Sequence, residues 1–133
     1  MRLGVVSDIH GNRVALDAVV DDMPSVDGVV NAGDVVGYNP WPAECVAAVR
    51  ERSMPTVMGN HDRAVARSGA VRFNAMANAG VEYARERVPD EARSWLAGLP
   101  DRRSVADGRV RVVHGHPDDP NRYTYLEEFA PAM

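Results

Sequence analysis

The sequence predicts a mixed α/β fold built on a parallel sheet, and three observations carry that prediction. Short apolar runs recur through the first sixty residues, at 3–6, 28–30 and 54–58. Segments with helical spacing separate them. Each run ends on a glycine beside an aspartate, asparagine or histidine, the signal of a strand that stops and turns. Strands alternating with helices imply parallel pairing and right-handed crossovers.

The elements follow in order. Residues 1–7 read as a buried strand around Leu3, Val5 and Val6. A helix over 12–22 presents Val14, Ala15, Ala18 and Val19 as its apolar set, and Pro24 stops it. Residues 27–31 are a second strand. Pro42 suits the first turn of a helix reaching about Arg52, with Val46 and Val49 inward. Residues 54–58 are a third strand. Asn74 caps a helix to about Arg87 with Met76, Ala79 and Tyr83 on its inner face. A shorter helix spans 90–96 and places Trp95 in the core. Strands at 102–106 and 109–114 flank Asp107-Gly108, a tight-turn dipeptide. No repeat, low-complexity tract or linker interrupts residues 1–133, which read as one domain.

Composition narrows the function. Apolar residues make up 45% of the 133, as a globular chain requires. The net charge of −4 argues against general nucleic-acid binding. All 15 positive residues are arginine. No apolar run is long enough to span a bilayer, and MRLGVV lacks a signal peptide's apolar region, so the expected setting is cytoplasmic, with no membrane partner. The single cysteine, Cys45, reads as a small buried side chain on a helix.

The chemistry sits at the strand ends. The first strand delivers Asp8 and His10, the second Asp34 after Gly33, the third Asn60 and His61 after Gly59, and the hairpin His114. Ligands of open α/β sheets bind at those carboxyl ends, so these residues are expected to converge. Their oxygen and nitrogen donors suit divalent manganese, iron or zinc. Two cations roughly 3.5–4 Å apart would clamp a phosphate and acidify water between them. Asp34 is placed to bridge such a pair.

In this ordered set the chain resembles the calcineurin-like metallophosphoesterases, and their small prokaryotic phosphodiesterase branch in particular. The resemblance rests on SDIHGN (7–12), NAGDVVGY (31–38), VMGNHD (57–62) and VVHGHP (112–117), with FNAMA at 73–77 as a further match. It implies a sandwich of two β-sheets flanked by helices. It implies two divalent metal ions, manganese foremost, with iron, zinc or nickel as alternatives. Asp8 and His10 would hold the first, Asp34 would bridge, and Asn60 and His114 would hold the second. His61 would stand beside the phosphate as leaving-group acid or transition-state stabiliser, oriented by Asp62. A metal-activated hydroxide would hydrolyse a small phosphate ester, a phosphodiester foremost.

One departure qualifies these expectations. The family's later G-H-x-H motif, which supplies a ligand to each metal, is absent. The second sheet is therefore expected to be incomplete. An open edge would then favour self-association, as a homo-oligomer, or a completing partner chain. The alternative function is a weak or inactive chain that binds metal or phosphate until its site is completed. His116 reads as a loop histidine near the site, with ligation as the alternative, and residues 118–125 read as a border of the substrate pocket or a solvated polar loop. Tyr38, Asn39 and Trp41 read as loop packing, with substrate contact as the alternative. Arg13 reads as solvent-exposed, with approach to a phosphate from the start of its helix as the alternative, and the RERV run at 85–88 reads as the solvated face of a helix.

Overall fold

Strand β1 (Leu3–Val6) pairs in parallel with β2 (Gly28–Asn31), Val5 opposite Val30 and Val6 opposite Asn31. The structure, a computed structural model, describes residues 1–70 and 72–122. Between the two strands runs α1 (Arg13–Asp22), whose N-cap Asn12 accepts the Ala15 N–H through its side chain. Then come α2 (Pro42–Glu51), α3 (Asn60–Ala66), α4 (Ala75–Arg87) and α5 (Asp90–Ala97). An antiparallel hairpin, β3 (Arg102–Val105) and β4 (Val110–Val113), follows. Among the described residues the result is a mixed α/β fold with five helices and two small sheets, the second of which is incomplete.

The expected third strand shortens to one rung. Only Asn31 and Thr56 form a parallel bridge, with Asn31 donating to the Pro55 carbonyl and Val57 donating to that of Asn31. Pro55 has no N–H with which to extend the ladder. The Asp107-Gly108 turn is found, closed by Arg109 N–H to the Ala106 carbonyl. Ala106 itself turns left-handed (φ 54°), which ends β3 at Val105.

The first sheet divides the interior. One face, with Val6, Val29, Met54 and Met58, meets the helices in a core that includes Leu16, Val35, Val46, Val49, Val65, Val81 and Leu96. The other face carries Val30 and Val57 against Val112 and Val105 of the hairpin. This second layer stops short of β1. Val30 is 3% exposed, but Val5 directly beside it is 64% exposed. The hydrogen bonds at Arg2, Val6 and Asp8 all run to the β2 side. Among the described residues, β1 has no partner on its other edge.

Several side chains face other ways than their spacing predicts. Leu16 and Val20 bring α1 to the core, while Val14 and Val19 are exposed. In α4 the inner face is Ala77, Gly80, Val81 and Ala84, and Met76 is exposed. Small residues win that face because α4 crosses the 37–38 loop closely: a Cβ on Gly80 would lie 2.8 Å from Tyr38 Cα. Trp95 is half-buried, and its neighbour Leu96 is the fully buried residue. Arg85 is not on a solvated face. Its guanidinium donates to the carbonyls of Ala64 and Gly69, tying down the end of α3. Cys45 is buried as expected, and burial pushes its thiol up to about 12. No helix among the described residues is long and apolar enough to cross a membrane.

Candidate metal centre

The loops after β1, β2 and the Thr56 rung converge on one carboxylate. Asp34 is buried, and its Oδ2 lies 3.5 Å from His10 Nε2 and 3.3 Å from His114 Nε2. Its Oδ1 accepts the His61 backbone N–H at 2.9 Å. Asp8 Oδ1 is 3.5 Å from His10 Nε2, and Asn60 Oδ1 is 3.2 Å from His114 Nε2. Two groups of ligand atoms, each within 4.8 Å, share Asp34: His10, Asp34 and His61, and Asp8, Asp34 and His114.

Both histidines are turned the same way. His10 Nδ1 lies 3.0 Å from the Val36 carbonyl and His114 Nδ1 2.8 Å from that of Ala32. A carbonyl only accepts, so each Nδ1 carries the proton and each Nε2 presents its lone pair to the Asp34 carboxylate in the neutral ring. Backbone carbonyls that fix the tautomer in this way are typical supports of metal-ligating histidines. Two imidazole lone pairs, a shared carboxylate, a second carboxylate and an amide oxygen fit a pair of divalent cations.

The backbone is strained to make this convergence. Asp8, His10, Asp34 and Tyr38 have φ of 55°, 47°, 58° and 60°, a region costly for non-glycine residues. Glycines open the remaining space. A Cβ on Gly59 would lie 2.7 Å from Asp34 Cγ, and one on Gly33 2.9 Å from His114 Nδ1.

Electrostatics follow from the crowding. Burial opposes the charge on His114, but the Asp34 hydrogen bond and charge outweigh it, and its pKa rises to about 9 without metal. His10 is likewise disfavoured by burial yet raised by Asp8 and Asp34. The His10 hydrogen bond holds the Asp8 carboxyl below its ordinary value, helped by one from Ser7. His61 goes the other way: burial lowers it, outweighing the pull of Asp34, and its Nδ1 has no hydrogen-bond partner among the described residues.

Asp62, expected to orient His61, makes no hydrogen bond to the His61 ring among the described residues; four backbone N–H groups occupy its carboxylate. Asp34 and Gly59 donate to Oδ2 at 2.8 and 2.9 Å, and Val35 and Val36 to Oδ1 at 2.8 and 3.3 Å. It is a positioning residue that locks the Asp34 loop to the start of α3. Burial and the Asp34 charge raise its pKa to about 6, against the pull of those donors.

The remaining residues sort themselves. The His61 ring is held by aromatic neighbours: Phe73 stacks on it at 4.7 Å, and Tyr38 lies 4.9 Å from it and 4.8 Å from His10. Phe73 was legible only as part of a motif, since nothing in its spacing points at His61. Asn39 supports the loop by donating to the His10 carbonyl. Arg13 pairs with Asp17 at 2.8 Å and is not directed at the site. His116 Nδ1 accepts the Asp118 N–H, and His116 is in neither ligand group. Of the suspected pocket border, residues 123–125 lie outside the described residues.

A helix-flanked sheet pair with a carboxylate-centred histidine cluster at its strand ends is the architecture of a metallophosphoesterase. The family model for calcineurin-like phosphoesterases matches residues 1–131, and the chain belongs to that family. The structure of a metallophosphoesterase from Sphaerobacter thermophilus is 38% identical, with a TM-score of 0.80 over 100% of this chain and 56% of its own. The protein MJ0912 of Methanocaldococcus jannaschii is 30% identical over 129 residues, 93% of this chain and 53% of its own length. The structure of the protein PH1004 from Pyrococcus horikoshii OT3 shares the fold, with a TM-score of 0.75 at 20% identity, over 94% of this chain and 59% of its own. The chain thus spans little more than half the length of these relatives.

Proposed function

We propose that the chain is a metal-dependent hydrolase of phosphodiesters built on a dinuclear centre. The observation that carries this reading is the Asp34 carboxylate, flanked by two imidazole Nε2 atoms whose Nδ1 protons are already committed to backbone carbonyls. Asp8 and His10 would hold one cation and Asn60 and His114 the other, with Asp34 shared between them. Divalent ions bound there, manganese foremost, would supply an activated water and neutralise charge on the phosphoryl group. The protein supplies the rest. Asp62 and the glycines fix Asp34 in place before substrate arrives. His61, kept neutral by burial, donates a hydrogen bond to the phosphate rather than a full proton. Small phosphate esters are the substrates, acted on in the cytoplasm.

The test is hydrolysis of bis(p-nitrophenyl) phosphate with added Mn²⁺, beside Asp34→Asn and beside p-nitrophenyl phosphate as the monoester. Turnover of the diester that disappears in the variant is the expected result. Turnover unaffected by Asp34→Asn contradicts the assignment.

A second reading has its own observation, the β1 edge that has no partner among the described residues, with Val5 exposed next to buried Val30. Here a second copy or a partner chain covers β1 and completes the centre, and the isolated chain is weakly active. Light scattering tests it: an active, monodisperse monomer counts against this reading.

A further inference from the structure

A groove leads away from the metal centre along α3. Asn60 opens the helix, and Arg63 and Arg67 follow at three and seven residues, on one stripe of its surface. With Arg72, Phe73 and Arg85 they line a groove of about 300 Å³. The groove starts at the centre itself, because Asn60 approaches His114 and Phe73 stacks on His61. Although the chain has a net charge of −4, the described residues that line this groove include four arginines and no carboxylate.

The four cations are not equivalent. Arg85 is committed to the carbonyls of Ala64 and Gly69 and to Glu82. Arg63 pairs with Asp101 at 2.6 Å, and its Nε is buried without a partner. The side chains of Arg67 and Arg72 make no hydrogen bond or ion pair among the described residues, and both are exposed. Arg67, the C-cap of α3, follows Asn60 by seven positions, about 10 Å along the helix axis. A guanidinium fork donates two parallel bonds to phosphate or carboxylate oxygens, and in a phosphate-ester substrate a further phosphate is the group that offers them.

We infer that the Arg67 and Arg72 end of this groove binds a second phosphate group of the substrate. The preferred substrate is therefore a phosphodiester carrying a further phosphate, not a singly charged diester. This inference rests on the phosphoesterase reading above and adds the part of the substrate that does not react.

Thymidine 5′-(p-nitrophenyl phosphate) and its 3′-phosphorylated form test it, each assayed with the parent protein and with Arg67→Ala/Arg72→Ala. The parent is expected to favour the 3′-phosphorylated ester by about tenfold in kcat/KM, expressed through KM, as charge-assisted bonds to an added phosphate imply. In the double variant that ratio falls to near one, and thermal unfolding confirms that the variant is folded. A parent without preference, or a preference that survives the double substitution, overturns the inference. If neither ester turns over, the phosphoesterase reading has failed on its own account. Calorimetric titration of thymidine 3′,5′-bisphosphate and thymidine 5′-monophosphate then decides the groove. Tighter binding of the bisphosphate that the variant loses upholds it, and equal affinities overturn it.

Discussion

Replacing Asp62 by asparagine tests how the centre is built without touching a proposed ligand. The two side chains are nearly isosteric, but an amide keeps only one acceptor oxygen. In the native protein four buried N–H groups point at the carboxylate, two on each oxygen. Whichever way the amide turns, its NH₂ faces two of them. The favoured orientation retains Asp34 and Gly59, since the Val36 bond, at 3.3 Å, is the longest and weakest. Two donors without an acceptor cost about 2–6 kcal/mol together. Part of that is offset. A neutral amide avoids the burial that raises the native carboxyl to about 6, a relief of up to roughly 3 kcal/mol at neutral pH. The net expectation is a loss of about 1–3 kcal/mol, or a Tm lower by roughly 5–10 °C. Calorimetry or circular dichroism measures it, and amide exchange localises it to Val35 and Val36. A variant as stable as the parent, with those amides still protected, would refute the claim that Asp62 locks the Asp34 loop.

Three further outcomes are expected. In the metal-free protein the raised His114 pKa stabilises the fold fully below 6.5 and is lost as pH rises through about 9, a change of at most roughly 3 kcal/mol, which His114→Gln should flatten in urea titrations across that window. The dependence of metal affinity is opposite in sign: Mn²⁺ competes with the Nε2 protons of His10 and His114, so its affinity, read by calorimetry, should rise over the same window, and an affinity that falls would contradict the ligand assignment. Gly80→Ala, favourable by about 1 kcal/mol in an open helix, should instead lower the Tm, because its Cβ meets the Tyr38 backbone at 2.8 Å.

Much of the architecture was legible because it depends on local signals. Asn74 caps the helix it precedes, Pro42 starts α2, and Asp107-Gly108 turns the hairpin. Helix α3 was not foreseen. It has only seven residues and begins on the polar ligands themselves, and its one local signal is Asp62 accepting from Gly59 three residues earlier. Side-chain facing on α1 and α4 failed for a different reason. Both helices carry apolar residues on more than one side, so the buried stripe is chosen by what lies against them. On α4 the close approach of Tyr38 selects Gly80, and on α1 the core takes Leu16 and leaves Val14 out.

The site divides along the same line. Strand-end motifs named Asp8, His10, Asp34, Asn60 and His114, and the fold brings them around one carboxylate. The tautomers, the Asp62 lock and the Phe73 and Tyr38 rings were not legible. They depend on distances between segments remote in sequence, such as the 26 residues separating His10 from Val36. The role of Arg85 was hidden likewise, since RERV reads as surface until the end of α3 is seen beneath it.

The central claim is a two-cation centre bridged by Asp34, and counting the ions tests it most directly. Titration of the metal-free protein with Mn²⁺, followed by electron paramagnetic resonance, is expected to give two ions per chain with the signal of a spin-coupled pair. Asp34→Asn should abolish the coupling. A single uncoupled ion in the parent, or coupling that survives in the variant, would contradict the account.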